Sequence, residues 1–170
     1  MKVAFLDRDG TIIKDYPDEK WSSIKHPEFL EGSIDGMQKL IANGYHIIII
    51  TNQYLISDGI ITLDQYQQFT REFLSICQNN NINILEIYFC PHNVQDHCNC
   101  KKPKPGMINQ ALAKYNIDLN NSIYCGDSEA DYLLAKHFNL PFYAISSSLD
   151  YPDIIKCDSI LDVCHYLELT

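Results

Sequence analysis

Apolar residues in this chain fall into short unbroken runs separated by longer, spaced patterns. The runs are KVAFL (2–6), HIIII (46–50), ILEIYF (84–89), SIYC (122–125) and FYAI (142–145). They are continuous rather than alternating, which predicts strands buried on both faces, as in a parallel sheet. Between them apolar positions recur three and four apart. Ile34, Met37, Leu40 and Ile41 predict a helix over 33–43 that stops at Gly44. Thr62 reads as the N-cap of a helix through Gln78, with Leu63, Tyr66, Phe69, Phe73, Leu74 and Cys77 turned inward. Pro105 suits the first turn of a third helix carrying Met107, Ile108, Leu112 and Tyr115, and 129–138 and 160–167 supply a fourth and a fifth. Strands alternating with helices predict an α/β fold, a doubly wound, Rossmann-like parallel sheet. With no repeat and no linker-like stretch, one domain over 1–170 is expected.

Ligands of such folds bind outside the carboxyl ends of the strands. Asp7 and Asp9 follow the first run, Thr51 and Asn52 end the second, and Asp127 follows the fourth. The topology therefore gathers them at one edge. Gly10 lets the chain turn after the first strand, and the amides beyond Asp7 can cradle an anion. Asp131 lies one helical turn beyond Asp127, and its role stays open. Carboxylates converging on one spot repel unless a cation neutralises them, and oxygen ligands with open water positions suit Mg²⁺. A hard metal beside a carboxylate, with Lys102 or its neighbours as fixed positive charge and Thr51 and Asn52 as neutral donors, is a phosphoryl-transfer arrangement.

Charge sharpens this. The 170 residues carry a formal charge of −9 with 46% hydrophobic and 21% charged residues, which is globular and unsuited to non-specific nucleic-acid binding. The local run KKPK (101–104) on an acidic body suits a small anionic ligand, a phosphorylated metabolite. No apolar run approaches the about 18 residues of a membrane span. The start MKVAFLDRDG is too short for a signal core, so a cytoplasmic protein is expected, without membrane or nucleic-acid partners and as a monomer.

The seven cysteines are an odd number, which argues against a disulfide framework. Cys77, Cys125, Cys157 and Cys164 sit in apolar contexts and read as small buried hydrophobes. Cys90-x-His92 followed by Cys98-x-Cys100 is different: three thiolates and an imidazole make a closed tetrahedral Zn²⁺ site, which is structural. His97 is the rival to His92 as the fourth ligand.

DRDGT, TNQ after an isoleucine-rich strand, KKPKP and GDSEAD, in this order over 7–131, resemble the four motifs of the haloacid dehalogenase superfamily of phosphatases. The resemblance implies Asp7 as nucleophile, Asp9 as general acid and then base, Thr51 as phosphoryl ligand and Lys102 as the stabilising cation. It also implies Mg²⁺ on Asp7, the Asp9 carbonyl and Asp127. The intervals between Asp9, Thr51 and Lys102 leave no room for an inserted cap, so loops 14–31 and 53–61 must frame an open site. The cysteine loop 90–100 beside the motifs is similar to a capless subgroup that includes the heptose bisphosphate and histidinol-phosphate phosphatases. The KPGM ending and the TNQ…DGIITLDQYQQF segment resemble the heptose enzyme, and the five-residue gap in the cysteine loop resembles the histidinol-phosphate enzyme, so a sugar phosphate is expected first and histidinol phosphate is the alternative. Asp58 stands where the heptose pattern carries an arginine, and Ser128 where both relatives carry Lys or Arg; Lys101 and Lys104 remain as substrate-binding candidates, with Lys14, Lys20 and Lys25 of the first loop as compensating cations. Trp21 is expected to pack rather than to line the entrance. A zinc-binding module without turnover leaves the acids without a reason. A phospho-acceptor domain uses the same chemistry, but its acceptor follows the third strand.

Overall fold

The computed structural model describes all 170 residues. Six strands, β1 (Lys2–Leu6), β2 (Tyr45–Asn52), β3 (Ile84–Cys90), β4 (Ile123–Gly126), β5 (Phe142–Ile145) and β6 (Ile155–Cys157), form one sheet in the order β3-β2-β1-β4-β5-β6. Every pairing is parallel. Five helices connect them: α1 (Ser33–Ala42), α2 (Leu63–Asn79), α3 (Gly106–Lys114), α4 (Glu129–His137) and α5 (Ile160–Tyr166).

The isoleucine run of β2 shows why its pattern does not alternate. Ile47 and Ile49 enter one core with side chains of α1, α2 and α5, and Ile48 and Ile50 enter a second with α3 and α4. All four are 0% exposed, so each gains the about 1.5–3 kcal/mol of a fully buried aliphatic side chain. The chain moves from β1 to β2 to β3 on one side, then returns to place β4 against β1 and continues outward. The order therefore reverses between β1 and β4, and the crevice at their carboxyl ends lies between Asp7 and Asp127.

Local signals explain the element ends. At the start of α2 the Gln65 N–H donates to Thr62 Oγ1 at 3.0 Å and the Thr62 N–H donates to Gln65 Oε1 at 2.8 Å, a reciprocal cap. The expected inward face of α2 needs correction. Tyr66, Phe69, Phe73 and Cys77 are buried, but Leu63 and Leu74 are 44% and 37% exposed. At about 100° per residue the four buried positions form a complete narrow stripe, and the two leucines fall well to its side. Four elements had no readable signal, the three-residue edge strand β6 and the 3-10 helices over Asp18–Ser23, Val94–Asp96 and Leu119–Asn121. The segments between Asp7 and α1 and between β2 and α2 hold only loops and the Asp18–Ser23 3-10 helix, so no cap is inserted. No helix is long and apolar enough to cross a membrane.

α1 and α5 pack with their backbones close. A Cβ on Gly36 of α1 would lie 2.5 Å from the Leu161 nitrogen and 2.6 Å from the Ile160 carbonyl carbon. Gly36→Val is therefore expected to lose about 3 kcal/mol, the upper range for overpacking, read as a lower urea midpoint. An unchanged midpoint would show that the helices separate without cost.

Candidate active site

The turn after β1 is fixed by backbone bonds. The Asp7 N–H donates to the Cys125 carbonyl of β4 at 3.0 Å, which lashes the exit of β1 to its neighbour. Thr11, Ile12 and Ile13 all donate to the Arg8 carbonyl. No backbone hydrogen bond ends on the Asp9 carbonyl, and none is donated by the Arg8 or Asp9 N–H, so these groups remain available to a cation and an anion respectively. The Gly10 N–H is taken by the Ile13 carbonyl at 2.8 Å. Gly10 contributes conformation and clearance: its φ is +88°, and a Cβ there would sit 2.2 Å from Asp127 Oδ2.

Lys102 is the centre of the site. Its ammonium donates to Asp7 Oδ1 at 2.8 Å, to the Ile50 carbonyl at 2.8 Å and to Asp131 Oδ1 at 2.7 Å. The side chain is 3% exposed and all three donors are used. Asn52 fixes the backbone behind it: its Oδ1 accepts from the Lys102 N–H at 2.9 Å, and its Nδ2 donates to the Lys102 carbonyl at 3.3 Å. Asp131, 0% exposed, accepts from Lys102 and Tyr124 on Oδ1 and from the Ser128 N–H and hydroxyl on Oδ2. It is saturated by donors, which answers the open question of its role in geometric terms: it holds Lys102 and caps α4.

One carboxylate oxygen from each of Asp7, Asp127 and Asp131 lies within 4.8 Å of the others. Burial first, and then Asp131, pushes the Asp7 carboxyl well above its ordinary range, with Lys102 pulling it back. Burial and Asp131 likewise push Asp127 up to about 6. One ammonium against three carboxylates leaves an excess of two negative charges, the charge of one divalent cation. With Asp131 saturated, Asp7, Asp127 and the Asp9 carbonyl are the donors that fit a hard metal.

Asp9 is held differently. Arg8 Nε donates to its Oδ1 at 2.7 Å and Arg8 Nη2 to its Oδ2 at 3.1 Å. Gln53 Nε2 donates both to Asp9 Oδ2 at 3.0 Å and to Thr51 Oγ1 at 2.9 Å. As Thr51 Oγ1 accepts from Gln53, its own proton is free to point into the cleft. Arg8 and Gln53 lie inside the motif stretches, but spacing alone gave no sign of what their side chains touch.

Asp7, Asp9, Thr51, Gln53, Lys102 and Asp127 line a cleft of about 200 Å³, together with Asn52, Asp15, Asp18, Trp21, Tyr54 and Ser128. Trp21 is 7% exposed, packs edge-on against Tyr16 and Phe69, and donates to Asp15 Oδ1 at 3.0 Å. It packs as expected and also borders the cleft. Lys101 sits over Tyr54, its ammonium 4.4 Å from the ring centre, while Lys104 donates to the Cys98 carbonyl at 2.5 Å. Neither they nor Lys14, Lys20 and Lys25 line the cleft itself.

The cysteine loop brings Cys90, His92, Cys98 and Cys100 together within 4.8 Å. His92 Nδ1 is 3.5 Å from Cys90 Sγ and 3.3 Å from Cys100 Sγ, and Cys90 Sγ is 3.6 Å from Cys98 Sγ. Burial works against ionisation of Cys98, but the Lys101 and Cys100 N–H groups overcome it and bring the thiol down to about 6. The donor set fits a tetrahedral soft-ligand ion. His97 closes a 3-10 turn with φ 50° and stands outside the cluster. The loop is also tied to the segment after β2: Ser57 donates to Asp96 Oδ2 at 2.6 Å and Asn93 Nδ2 to Asp58 Oδ1 at 3.0 Å. Asp58 thus serves a loop-to-loop contact.

The family described as polynucleotide kinase 3 phosphatase matches residues 2–149. The chain belongs to the haloacid dehalogenase superfamily of phosphatases. As a member it is a phosphoric monoester hydrolase. It is 38% identical over 146 residues to a probable D-glycero-D-manno-heptose-1,7-bisphosphate 7-phosphatase of Thermoplasma volcanium, covering 84% of this chain and 97% of that one. It is 38% identical over 148 residues to the D-glycero-alpha-D-manno-heptose-1,7-bisphosphate 7-phosphatase of Photorhabdus laumondii, covering 83% and 80%. Among solved structures, the D,D-heptose 1,7-bisphosphate phosphatase of B. bronchiseptica, complexed with magnesium and phosphate, superposes with a TM-score of 0.85. That pair is 23% identical over 99% of this chain and 98% of the other, a likeness of fold.

Asp131→Ala leaves Lys102 and the Tyr124 hydroxyl buried without their shared acceptor. The phosphatase is expected to lose about 3–5 kcal/mol of stability, the usual cost of breaking a buried pair from one side. Urea unfolding measures this, and a loss below 1 kcal/mol, roughly the value of an exposed pair, would contradict the buried geometry.

Proposed function

We propose that residues 1–170 act as one phosphatase domain, built around the metal loop 90–100, that hydrolyses a sugar phosphate through an aspartyl-phosphate. D-glycero-D-manno-heptose 1,7-bisphosphate is the substrate that the relatives' names favour. The observation that carries the chemistry is the Lys102 cluster with Asp7, open toward Asp127 where the strand order reverses.

In this reading an Asp7 carboxylate oxygen attacks phosphorus, the ester P–O bond breaks, and Asp9 protonates the departing alkoxide. Asp9 then takes a proton from water, whose oxygen attacks phosphorus and releases inorganic phosphate from Asp7. The Lys102 ammonium, the Thr51 hydroxyl and the free N–H groups of Arg8 and Asp9 face the charge that develops on the phosphoryl oxygens. Asn52 serves by holding Lys102, Gly10 by leaving room for Asp127, and Lys101 meets the part of the substrate outside the transferring group. Lys104 supports the adjoining loop. Asp7, the Asp9 carbonyl and Asp127 would hold Mg²⁺, which supplies charge neutralisation and orientation of the phosphoryl group. Cys90, His92, Cys98 and Cys100 would hold Zn²⁺ as a structural ion. Through Ser57, Asp58 and the Lys102 backbone, that ion would steady both walls of the cleft.

Asp7→Asn is expected to lower Mg²⁺-dependent hydrolysis more than about 10⁴-fold, the scale on which removing a covalent nucleophile acts. Acid-quenched wild type should carry phosphate on Asp7, detected by mass spectrometry; normal turnover by the variant would overturn the assignment. A turnover panel of heptose 1,7-bisphosphate, histidinol phosphate and simple sugar phosphates identifies the substrate, and preference for histidinol phosphate would displace the heptose.

Metal analysis of purified protein should give about one zinc per chain, from the closed four-ligand shell. Stripping it should lower phosphatase activity and increase proteolysis within 53–61 and 90–104. A well-folded, fully active zinc-free protein would refute the structural ion.

A further inference from the structure

Arg8 is a cation almost entirely withdrawn from solvent. It is 2% exposed, with its guanidinium carbon 5.4 Å from the centre of the Tyr66 ring and 5.1 Å from that of Phe69. A buried guanidinium is tolerated only when its donors are matched, and the carboxylate matching it here is its own neighbour in sequence. Nε and Nη2 meet the two oxygens of Asp9 as a fork, and Nη1 faces Thr70 Oγ1 at 3.4 Å, on α2. The fork is thus anchored at its far side by α2 rather than free to follow Asp9. Gln53, 4% exposed, approaches from β2 and divides its amide between Asp9 Oδ2 and Thr51 Oγ1. Its backbone is pinned in turn, its N–H donating to the Cys90 carbonyl at 2.7 Å.

Counting donors on Asp9 separates its two oxygens. Oδ2 receives Arg8 Nη2 and Gln53 Nε2, and Oδ1 receives Arg8 Nε alone. A carboxylate oxygen accepts about two hydrogen bonds. Oδ2 is filled, and Oδ1 retains the open position. The Gln53 amide also sets the direction of the Thr51 hydroxyl, because its nitrogen occupies the acceptor side of that oxygen. A single side chain therefore orients the group that faces the phosphoryl oxygens and the group that exchanges protons.

Resting on the roles proposed above for Asp9 and Thr51, we propose that Arg8 and Gln53 are positioning residues that present Asp9 Oδ1 as the proton-exchanging atom. Neither touches the reacting phosphorus. Arg8 sets the plane of the carboxylate from the α2 side, and Gln53 fixes its filled oxygen and couples it to Thr51. Proton transfer from Asp9 Oδ1 to the leaving oxygen, and later from water to Oδ1, then occurs without a search among carboxylate orientations.

Pre-steady-state kinetics with p-nitrophenyl phosphate tests this, using Gln53→Met, Arg8→Lys and Asp9→Asn in the Mg²⁺-loaded full chain. The aryl leaving group needs no proton, so forming the phosphoenzyme is insensitive to Asp9, whereas its hydrolysis needs a base. Gln53→Met and Arg8→Lys should keep a burst of about one p-nitrophenol per site. Their turnover should slow about 10–100-fold, part of the 10²–10⁴ that general acid–base catalysis supplies. A simple alkyl phosphate, which needs the proton in the first step, should lose its burst. A merely structural role would shrink the burst with the folded fraction and leave turnover per site unchanged; that result, or wild-type rates on both esters, overturns the proposal. If Arg8→Lys does not fold, Gln53→Met decides alone. If Asp9→Asn itself turns over normally, the acid–base assignment has failed and the positioning proposal falls with it; if Asp9→Asn stalls while Gln53→Met does not, only the positioning proposal is overturned.

Discussion

A lysine ammonium buried between two carboxylates is the constraint around which this molecule is arranged. Lys102 meets Asp7, Asp131 and the Ile50 carbonyl, using all its donors. Taking such an ion out of water costs several kcal/mol, and only complete pairing offsets it. Each partner comes from a different part of the chain: Asp7 from the end of β1, Ile50 from β2 and Asp131 from α4. The cluster can form only when the strands are in register and α4 is docked. It therefore couples the proposed catalytic centre to the correct assembly of the sheet.

The same cluster explains features that look unrelated. Gly10 and Gly126 are needed because carboxylates crowd their backbones: a Cβ would fall 2.2 Å from Asp127 at the first and 2.6 Å from Asp131 at the second. Asn52 spends both ends of its amide on the Lys102 backbone. The cysteine loop precedes Lys102 directly and is tied to the segment after β2 through Asp96 and Asn93. A small structural ion in that loop would act at a distance, by keeping the lysine and one wall of the cleft in place. The remaining excess of carboxylate charge would suit a divalent cation at Asp7 and Asp127.

The fold was largely legible because β2 is apolar without alternation, which only a strand covered on both faces tolerates, and because Thr62 and Gln65 announce a helix start. Leu63 and Leu74 were misjudged because apolar character does not reveal the angular width of the buried stripe. The 3-10 helix over Asp18–Ser23 and the edge strand β6 are held by their surroundings rather than by local preference. Among the site residues, Asp7, Asp9, Thr51, Lys102 and Asp127 could be named because each follows a strand or sits in a motif. Arg8 and Gln53 lie in the same motifs, yet nothing in their spacing shows that they converge on one carboxylate.

By itself, the order of residues along the chain determined the parallel α/β fold, the gathering of acids at the strand ends, and the clustering of Cys90, His92, Cys98 and Cys100. These follow from periodicity, from strand direction and from short ligand spacing, all of which are local. Only the tertiary structure decided which donors each acid receives. It saturated Asp131 and left Asp127 open, placed Lys104 on a backbone carbonyl, gave Asp58 to the cysteine loop, and distinguished the two oxygens of Asp9. Such choices depend on distances of a few ångströms between segments far apart in sequence, and those distances exist only once the two cores have packed against the sheet.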